Sequence, residues 1–294
     1  MKMNSFTDVA LEFLDAKRAE RYSPATLRSY FSILDAVSIW LNGRDVDIAA
    51  ITARDIRAYL GSLDSVSGKT VYNHHICLSS LWTFAVDQGY AYDHVVRQVK
   101  APKFVKKRII PFTEAQVRKI LAASKNSRDR AILITLLDTG IRAAELLALG
   151  VADWLPGYLK VMGKGSKERL VPVSPPTEAA IQSQLVGRRV RAAGIDGGDA
   201  LFATVISGKV MTYTTLQSVM RRLEKYSGVS DIHCHRFRHT FAITYLRNGG
   251  DIYTLQKILG HSSLDTVKIY LDIVRSDVTD AHRHASPILN WDIS

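Results

Sequence analysis

The sequence predicts a mainly α-helical protein of two domains. The first is all-α, and the second is mixed α/β, mostly helical with a small β-hairpin. Three observations predict this. Apolar residues recur at three- and four-residue spacing through most of the 294 residues, the signature of helices with one buried face. A basic stretch broken by prolines, residues 97–108 (RQVKAPKFVKKR), divides the chain. Beyond it, two short apolar runs flank a glycine-rich turn, YLKVM-GKGSK-ERLVPV, which reads as a hairpin. The length also favours about two domains. The expected boundaries are 1–98 for the first domain, 99–110 for a linker and 111–294 for the second, with a C-terminal tail from about 272.

Hydrophobic residues make up 47% of the chain and charged residues 23%, as in ordinary globular proteins. The formal net charge is +11, which favours a polyanionic partner, nucleic acid before an anionic membrane surface. Cys77 and Cys234 are too few and too far apart for a disulfide framework, and fit a reducing cytoplasm. Asp8 and Glu12 interrupt the first apolar stretch, so no signal peptide is expected there. No run is long and apolar enough to span a membrane.

In the first domain, Val9, Leu11, Phe13 and Leu14 mark one helix. Ser23-Pro24 opens a second, with serine as N-cap and proline in the first turn. Its stripe runs through Leu27, Tyr30, Leu34, Val37, Trp40 and Leu41. A third starts at Thr52 with Ile56 and Leu60 inward, and a fourth covers about 68–88 with Val71, Ile76, Leu78, Leu81, Trp82 and Ala85. Tyr30, Trp40 and Trp82 are read as core rather than as base-stacking platforms. Lys69, Thr70, Asn73 and His74, on the first turn of the fourth helix, face either solvent or a DNA backbone. The linker lysines Lys103, Lys106 and Lys107 suit a phosphate backbone, or simply a solvated hinge.

The second domain opens with Thr113 and Gln116 as a capping box, then an apolar helix over about 127–138. Gly140 breaks that helix and another begins at once, leaving Arg142 at a helix N-terminus. The macrodipole disfavours a cation there, and an anion held jointly by Arg142 and free N–H groups resolves the conflict. Glu145, one turn on, is placed to orient Arg142. Lys164 or Lys167 reaches whatever the hairpin tip touches; the alternative is a solvated basic turn. Residues 174–230 read as helical around a loop at 193–199, with Leu201 and Phe202 in the core. On the stretch from Thr212 to Tyr226, Arg221, Arg222 and Lys225 point outward, toward DNA or solvent.

The stretch His233–Tyr270 holds polar residues that are hard to read as ordinary surface: His235, Arg238, His239, His261 and Tyr270. His235 and Arg238 share a helix face. His261 follows Leu259-Gly260, a helix ending at a glycine cap. Imidazoles, a guanidinium and a phenol together point to chemistry on an anion, first of all a phosphate. The alternatives are a buried polar network and a zinc site using His233, Cys234, His235 and His239, whose spacing fits no common zinc pattern.

Five motifs, TGIRAAELLAL, VMGKGSKERLVPV, HCHRFRHTFA, LGHSS and KIY, resemble those of the tyrosine recombinases, or phage-type integrases, in order and spacing. The first domain, with SPATLRSY, ITARDIRAYL and KTVYNHH, is similar to the family's SAM-like core-binding domain. The resemblance implies a site-specific DNA recombinase in which Arg142 and Arg238 bind the scissile phosphate and Tyr270 is the nucleophile. It also implies that Lys164 is the hairpin lysine, His235 and His261 line the site, and Glu145 supports Arg142. Phe237 replaces the family's usual leucine and keeps an apolar contact.

On this reading Tyr270 attacks phosphorus to form a 3′-phosphotyrosyl link, with His235 as general base and Lys164 as general acid. Nearby cations are expected to lower the phenol pKa. Neither a cofactor nor a metal is required. The implied partners are a double-stranded recombination site and further copies of the chain, forming a tetramer on a Holliday junction from protomers that are monomers in solution. Val274, Val278, Ala281, Ile288, Leu289 and Trp291 of the tail are expected to dock on a neighbour or fold back. Lys69, Thr70, Asn73, Lys103, Lys106, Lys107, Lys167 and Arg221 are the expected DNA contacts. His239 is expected to be structural, filling a polar niche beside Arg238. The rivals are a type IB topoisomerase and a DNA-binding regulator without catalysis.

Overall fold

Side-chain caps decide where the helices begin. Ser23 Oγ accepts from the Thr26 N–H at 3.2 Å, and Ser67 Oγ from the Thr70 N–H at 3.2 Å. Thr52 and Asp55 cap each other, as do Thr113 and Gln116. Each such cap satisfies a donor that helix geometry leaves unpaired, contributing about 1 kcal/mol. The computed structural model describes residues 4–41, 46–104, 109–163, 167–191, 200–204, 210–261 and 263–274. The chain forms two compact units, Met1–Lys107 and Arg108–Ser294.

The first unit contains α1 (Phe6–Ala19), α2 (Pro24–Trp40), α3 (Ala53–Gly61) and α4 (Gly68–Asp87), followed by a 3-10 turn at Val95–Gln98. Its core gathers Phe6, Phe13, Leu34, Val37, Ile56, Leu78, Leu81 and Trp82. Burial of side chains this size stabilises by about 1.5–3 kcal/mol each. Trp82 is fully buried, while Tyr30 stacks on Phe13 and Trp40 meets Tyr59 edge-on. Leu11 and Ile76 depart from the expected stripes and are exposed.

The stretch read as a linker packs at its start. Val99 is buried in this core and its carbonyl lies 3.0 Å from His75 Nε2. Phe104 lies against Tyr72, with the Lys69 ammonium over both rings.

The second unit contains α5 (Glu114–Ala122), α6 (Ser127–Thr139), α7 (Ala143–Ala148), β1 (Trp154–Leu155), β2 (Tyr158–Met162), β3 (Glu168–Pro172), α8 (Pro175–Arg191), α9 (Tyr213–Ser227), α10 (Cys234–Arg247), α11 (Ile252–Leu259) and α12 (Asp265–Val274). The expected hairpin is β2–β3, and the two-residue β1 extends it into an antiparallel sheet of order β1-β2-β3. Leu159, Val161 and Val171 point into a core shared with Ile132, Leu136, Leu146, Leu201, Phe202 and Phe237. Phe237 meets Phe112 at a ring distance of 4.9 Å. Arg236 donates to the carbonyl of Ile110 and caps the Phe112 ring, tying the start of this unit to α10. A smaller cluster of Ala242, Ile243, Leu255, Leu259, Val267 and Tyr270 joins α10, α11 and α12.

Candidate active site

Two glycines set the approach of the elements that carry the site. Gly140 ends α6 in the left-handed region at φ 61°, and a Cβ there would lie 2.4 Å from the Phe241 ring. Gly260 ends α11 at φ 63°, and its Cβ would lie 2.9 Å from the Arg169 guanidinium. A larger residue at either place meets both backbone strain and a clash.

After Gly140 the chain turns directly into α7, with Arg142 at its N-cap. Glu145 reaches back to the Arg142 N–H at 2.8 Å and accepts from Arg142 Nη1 at 2.9 Å. A second arginine holds the same carboxylate: Arg169 donates through Nη1 at 3.1 Å and Nη2 at 2.9 Å. Burial alone would raise the Glu145 pKa, but the hydrogen bonds from Arg169 and Arg142 outweigh it and hold it below the usual value. The Arg142 side chain keeps 40% of its surface exposed, so its guanidinium is accessible to a ligand.

Arg238 is buried on α10, with 1% of its surface exposed. It donates to the carbonyls of Gly140 at 2.7 Å and Leu259 at 2.9 Å. Arg142 Nη1 approaches the same Leu259 carbonyl at 3.4 Å. The C-terminal carbonyls of two helices thus receive the two guanidiniums, as the negative end of the helix dipole favours. Burial, then the charge of Arg142, pull the Arg238 pKa down to about 10, leaving it cationic at neutral pH.

Arg238 Nη2 also lies 2.5 Å from His261 Nε2. A guanidinium offers only donors, so Nε2 accepts and the imidazole proton resides on Nδ1. That buried Nδ1 has no partner among the described residues. Burial and the charges of Arg238, Arg142 and Arg169 push the His261 pKa down to about 4, keeping the ring neutral.

Tyr270 projects from α12 and is 3% exposed. Its hydroxyl lies 2.9 Å from His239 Nδ1. His239 in turn meets His235 edge-on, with ring centroids 4.3 Å apart. His239, next to Arg238 in sequence, thus contacts Tyr270 as well. Burial raises the Tyr270 pKa in spite of Arg238 and Arg142, so the expected lowering by nearby cations does not prevail. Burial also lowers the pKa of His239, to about 4, and that of His235.

The structure therefore brings together Arg142, Glu145, Arg238, His235, His239, His261 and Tyr270. Lys164, at the hairpin tip, lies outside the described residues, as do Lys106, Lys107, the loop at 193–199 and the tail beyond Val274. Lys167 is exposed beside the tip, and Arg221 is exposed on α9. Arg222 is exposed beside it, as expected, and also pairs with buried Asp129. In the first unit Asn73 and Lys103 are exposed, while Thr70 is tied to Ser67 by a hydroxyl–hydroxyl bond of 2.9 Å. His233 accepts from the Arg236 N–H at 3.2 Å as the cap of α10, a role unlike that of a zinc ligand.

Arg169 was not singled out by sequence reasoning. A signal was available: the two-residue period of β3 places it on the same face as Val171 and Val173, both buried. A charged residue on the core face of a strand requires a partner.

Residues 111–276 match the model of the phage integrase family, and residues 11–89 match the phage integrase N-terminal SAM-like domain. The chain belongs to the phage integrase family. Tyrosine recombinase XerC of Listeria innocua is 30% identical over 94% of this chain and 96% of that protein. Tyrosine recombinase XerC of Oceanobacillus iheyensis is 28% identical over 98% of each. Among solved structures, a lambda integrase tetramer bound to a Holliday junction shares the fold with a TM-score of 0.71 and 23% identity, covering 88% of this chain and 78% of that one.

Proposed function

We propose that this family member is a site-specific DNA recombinase that cuts and rejoins strands through a 3′-phosphotyrosyl link on Tyr270. The observation that carries the reading is the convergence of two arginines on the Leu259 carbonyl, with the Tyr270 phenol bonded to His239, the residue after Arg238 on α10. Two guanidiniums suit a phosphodiester, and a phenol is a nucleophile that conserves the bond energy for rejoining.

The Tyr270 oxygen bonds to phosphorus, the bond from phosphorus to the 5′ oxygen breaks, and the released 5′-hydroxyl takes a proton. Arg142 and Arg238 stabilise the negative charge that builds on the non-bridging oxygens. His261, with its spare Nδ1–H, supplies a further donor. His235 lines the same site. Glu145 holds Arg142 in place, and Lys164 is the general acid for the leaving oxygen. Attack by the 5′-hydroxyl of a partner strand reverses the step and exchanges strands. The partners are a double-stranded recombination site and other copies of the chain. A tetramer on a Holliday junction follows, as in the lambda integrase complex. Lys69, Thr70, Asn73, Lys103, Lys106, Lys107, Lys167 and Arg221 are proposed as DNA contacts, with residues 1–98 as the core-binding domain and 111–294 as the catalytic one. The protein acts in the cytoplasm.

Covalent capture tests this. A nicked suicide duplex traps the wild type, and Tyr270→Phe binds the duplex without being trapped. Equal trapping of the phenylalanine variant overturns the assignment. Exchange between two duplexes separates a recombinase from a type IB topoisomerase, which relaxes supercoils without exchange. Binding without any trapping leaves the regulator reading.

A further inference from the structure

We infer that His239 is a catalytic residue: its Nδ1 takes the hydroxyl proton of Tyr270 as the phenol attacks phosphorus. The inference rests on the recombinase reading above and moves to His239 the general-base role expected of His235.

Among the described residues, the Tyr270 hydroxyl has a single imidazole bonded to it, His239, at 2.9 Å. Among the described residues, the other charged groups acting on the phenol are the guanidiniums of Arg238 and Arg142. A guanidinium only donates, so neither can accept the hydroxyl hydrogen. The hydroxyl hydrogen is left to His239 Nδ1, which accepts it when the imidazole carries its own proton on Nε2.

Rigidity supports the role. His239 lies in the middle of α10, and His235, one turn earlier, packs edge-on against it at 4.3 Å. The Tyr270 ring lies on its other neighbour, 5.6 Å away and tilted 59°. Tyr270 is nearly inaccessible to solvent, so water does not compete for the proton.

Electrostatics keep the base ready. The titratable groups acting on His239 are His235, His233 and Arg238 from its own segment and Tyr270 from α12. Burial and these neighbours keep the imidazole neutral, with a free lone pair. In the empty site the same cations make it a weak base. An incoming phosphodiester brings a negative charge to Arg142 and Arg238, offsets them and raises the proton affinity of the ring. The base therefore strengthens when substrate arrives.

The step balances. The Oη–H bond of Tyr270 breaks and its proton moves to Nδ1. The oxygen keeps that electron pair and forms the bond to phosphorus, while the bond from phosphorus to the 5′ oxygen breaks with its pair left on the 5′ oxygen, which is protonated from the leaving side. Rejoining returns the proton from Nδ1 to the phenol oxygen.

The test measures single-turnover trapping on the nicked suicide duplex, alongside DNA affinity, for His239→Ala and His239→Asn. Asparagine keeps an acceptor near the Nδ1 position but takes no proton. Both variants are expected to bind DNA as the wild type does and to trap at least about 100-fold more slowly. Replacing Tyr270 by a fluorinated tyrosine, whose phenol ionises more readily, is expected to recover much of the rate in His239→Ala and change little when His239 is present. A merely structural role does not produce that selective recovery. Wild-type rates in His239→Ala, full recovery in His239→Asn, or no recovery by the fluorinated phenol in a variant that folds and binds overturns the inference. A wild type that never traps defeats the recombinase reading instead. If the alanine variant fails to fold, the asparagine variant with the fluorinated tyrosine decides.

Discussion

Arg169 grips both oxygens of Glu145, at 3.1 and 2.9 Å, while its Nε donates to the Ile258 carbonyl at 2.9 Å. One side chain thereby joins β3, the carboxylate that holds Arg142, and the end of α11. Glu145 is 7% exposed, so the loss of Arg169 leaves a buried carboxylate with Arg142 as its remaining guanidinium. Arg169→Ala is expected to destabilise the protein by about 3–5 kcal/mol, as is usual when one partner of a buried pair is removed. Lysine at 169 does not restore the two-pronged contact. Thermal denaturation measures the loss. Covalent trapping by the folded fraction is expected to slow, because Arg142 loses its fixed support.

The capping glycines rank by what surrounds them. Gly140→Ala meets the Phe241 ring at 2.4 Å and Leu259 at 2.9 Å, whereas Gly249→Ala, also at positive φ, has nothing within 4 Å. Backbone strain of about 1–2 kcal/mol applies to both. Gly140→Ala is expected to cost clearly more in a denaturant titration, and to slow trapping, because Gly140 also supplies the carbonyl bound by Arg238. Equal losses contradict the packing argument.

The two arginines differ in burial, and their alanine variants are expected to differ accordingly. Arg142→Ala removes a partly exposed guanidinium and is expected to lower the trapping rate by about 10²–10³ with a smaller effect on DNA affinity. Arg238→Ala also strips donors from the carbonyls of Gly140 and Leu259, so its melting temperature falls as well. Rate, affinity and melting temperature measured together separate the two. A loss confined to affinity at both positions reduces them to phosphate clamps.

Stability is expected to fall between about pH 6.5 and 4. His239 and His261 have folded pKa values of about 4, and that of His235 is lowered. The unfolded chain ionises near the ordinary histidine value of about 6.5, so in this window it binds more protons than the folded one. Stability that is complete above that value is therefore lost as pH decreases toward 4. Glu145, with its depressed carboxyl, adds a loss at lower pH, below its unfolded value. Melting curves from pH 7 to 4 test this, and His261→Gln is expected to flatten the slope.

The sequence by itself determined where most elements start and stop. Ser23, Thr52, Ser67 and Thr113 cap helices because a side-chain oxygen reaches an N–H three residues away, a local event. Gly140 and Gly260 end helices because a left-handed residue is needed there. That Arg142, Arg238 and the histidines belong to one site was also legible, since Arg142 at a helix start and the histidines around Arg238 make poor sense as ordinary surface. Tertiary structure alone decided the partners. Arg169 lies 24 residues from Glu145, and His239 lies 31 residues from Tyr270, so no local periodicity encodes either contact. It also decided protonation: how deeply Tyr270 is buried outweighs the arginines beside it, and that balance exists only once α10, α11 and α12 have packed together.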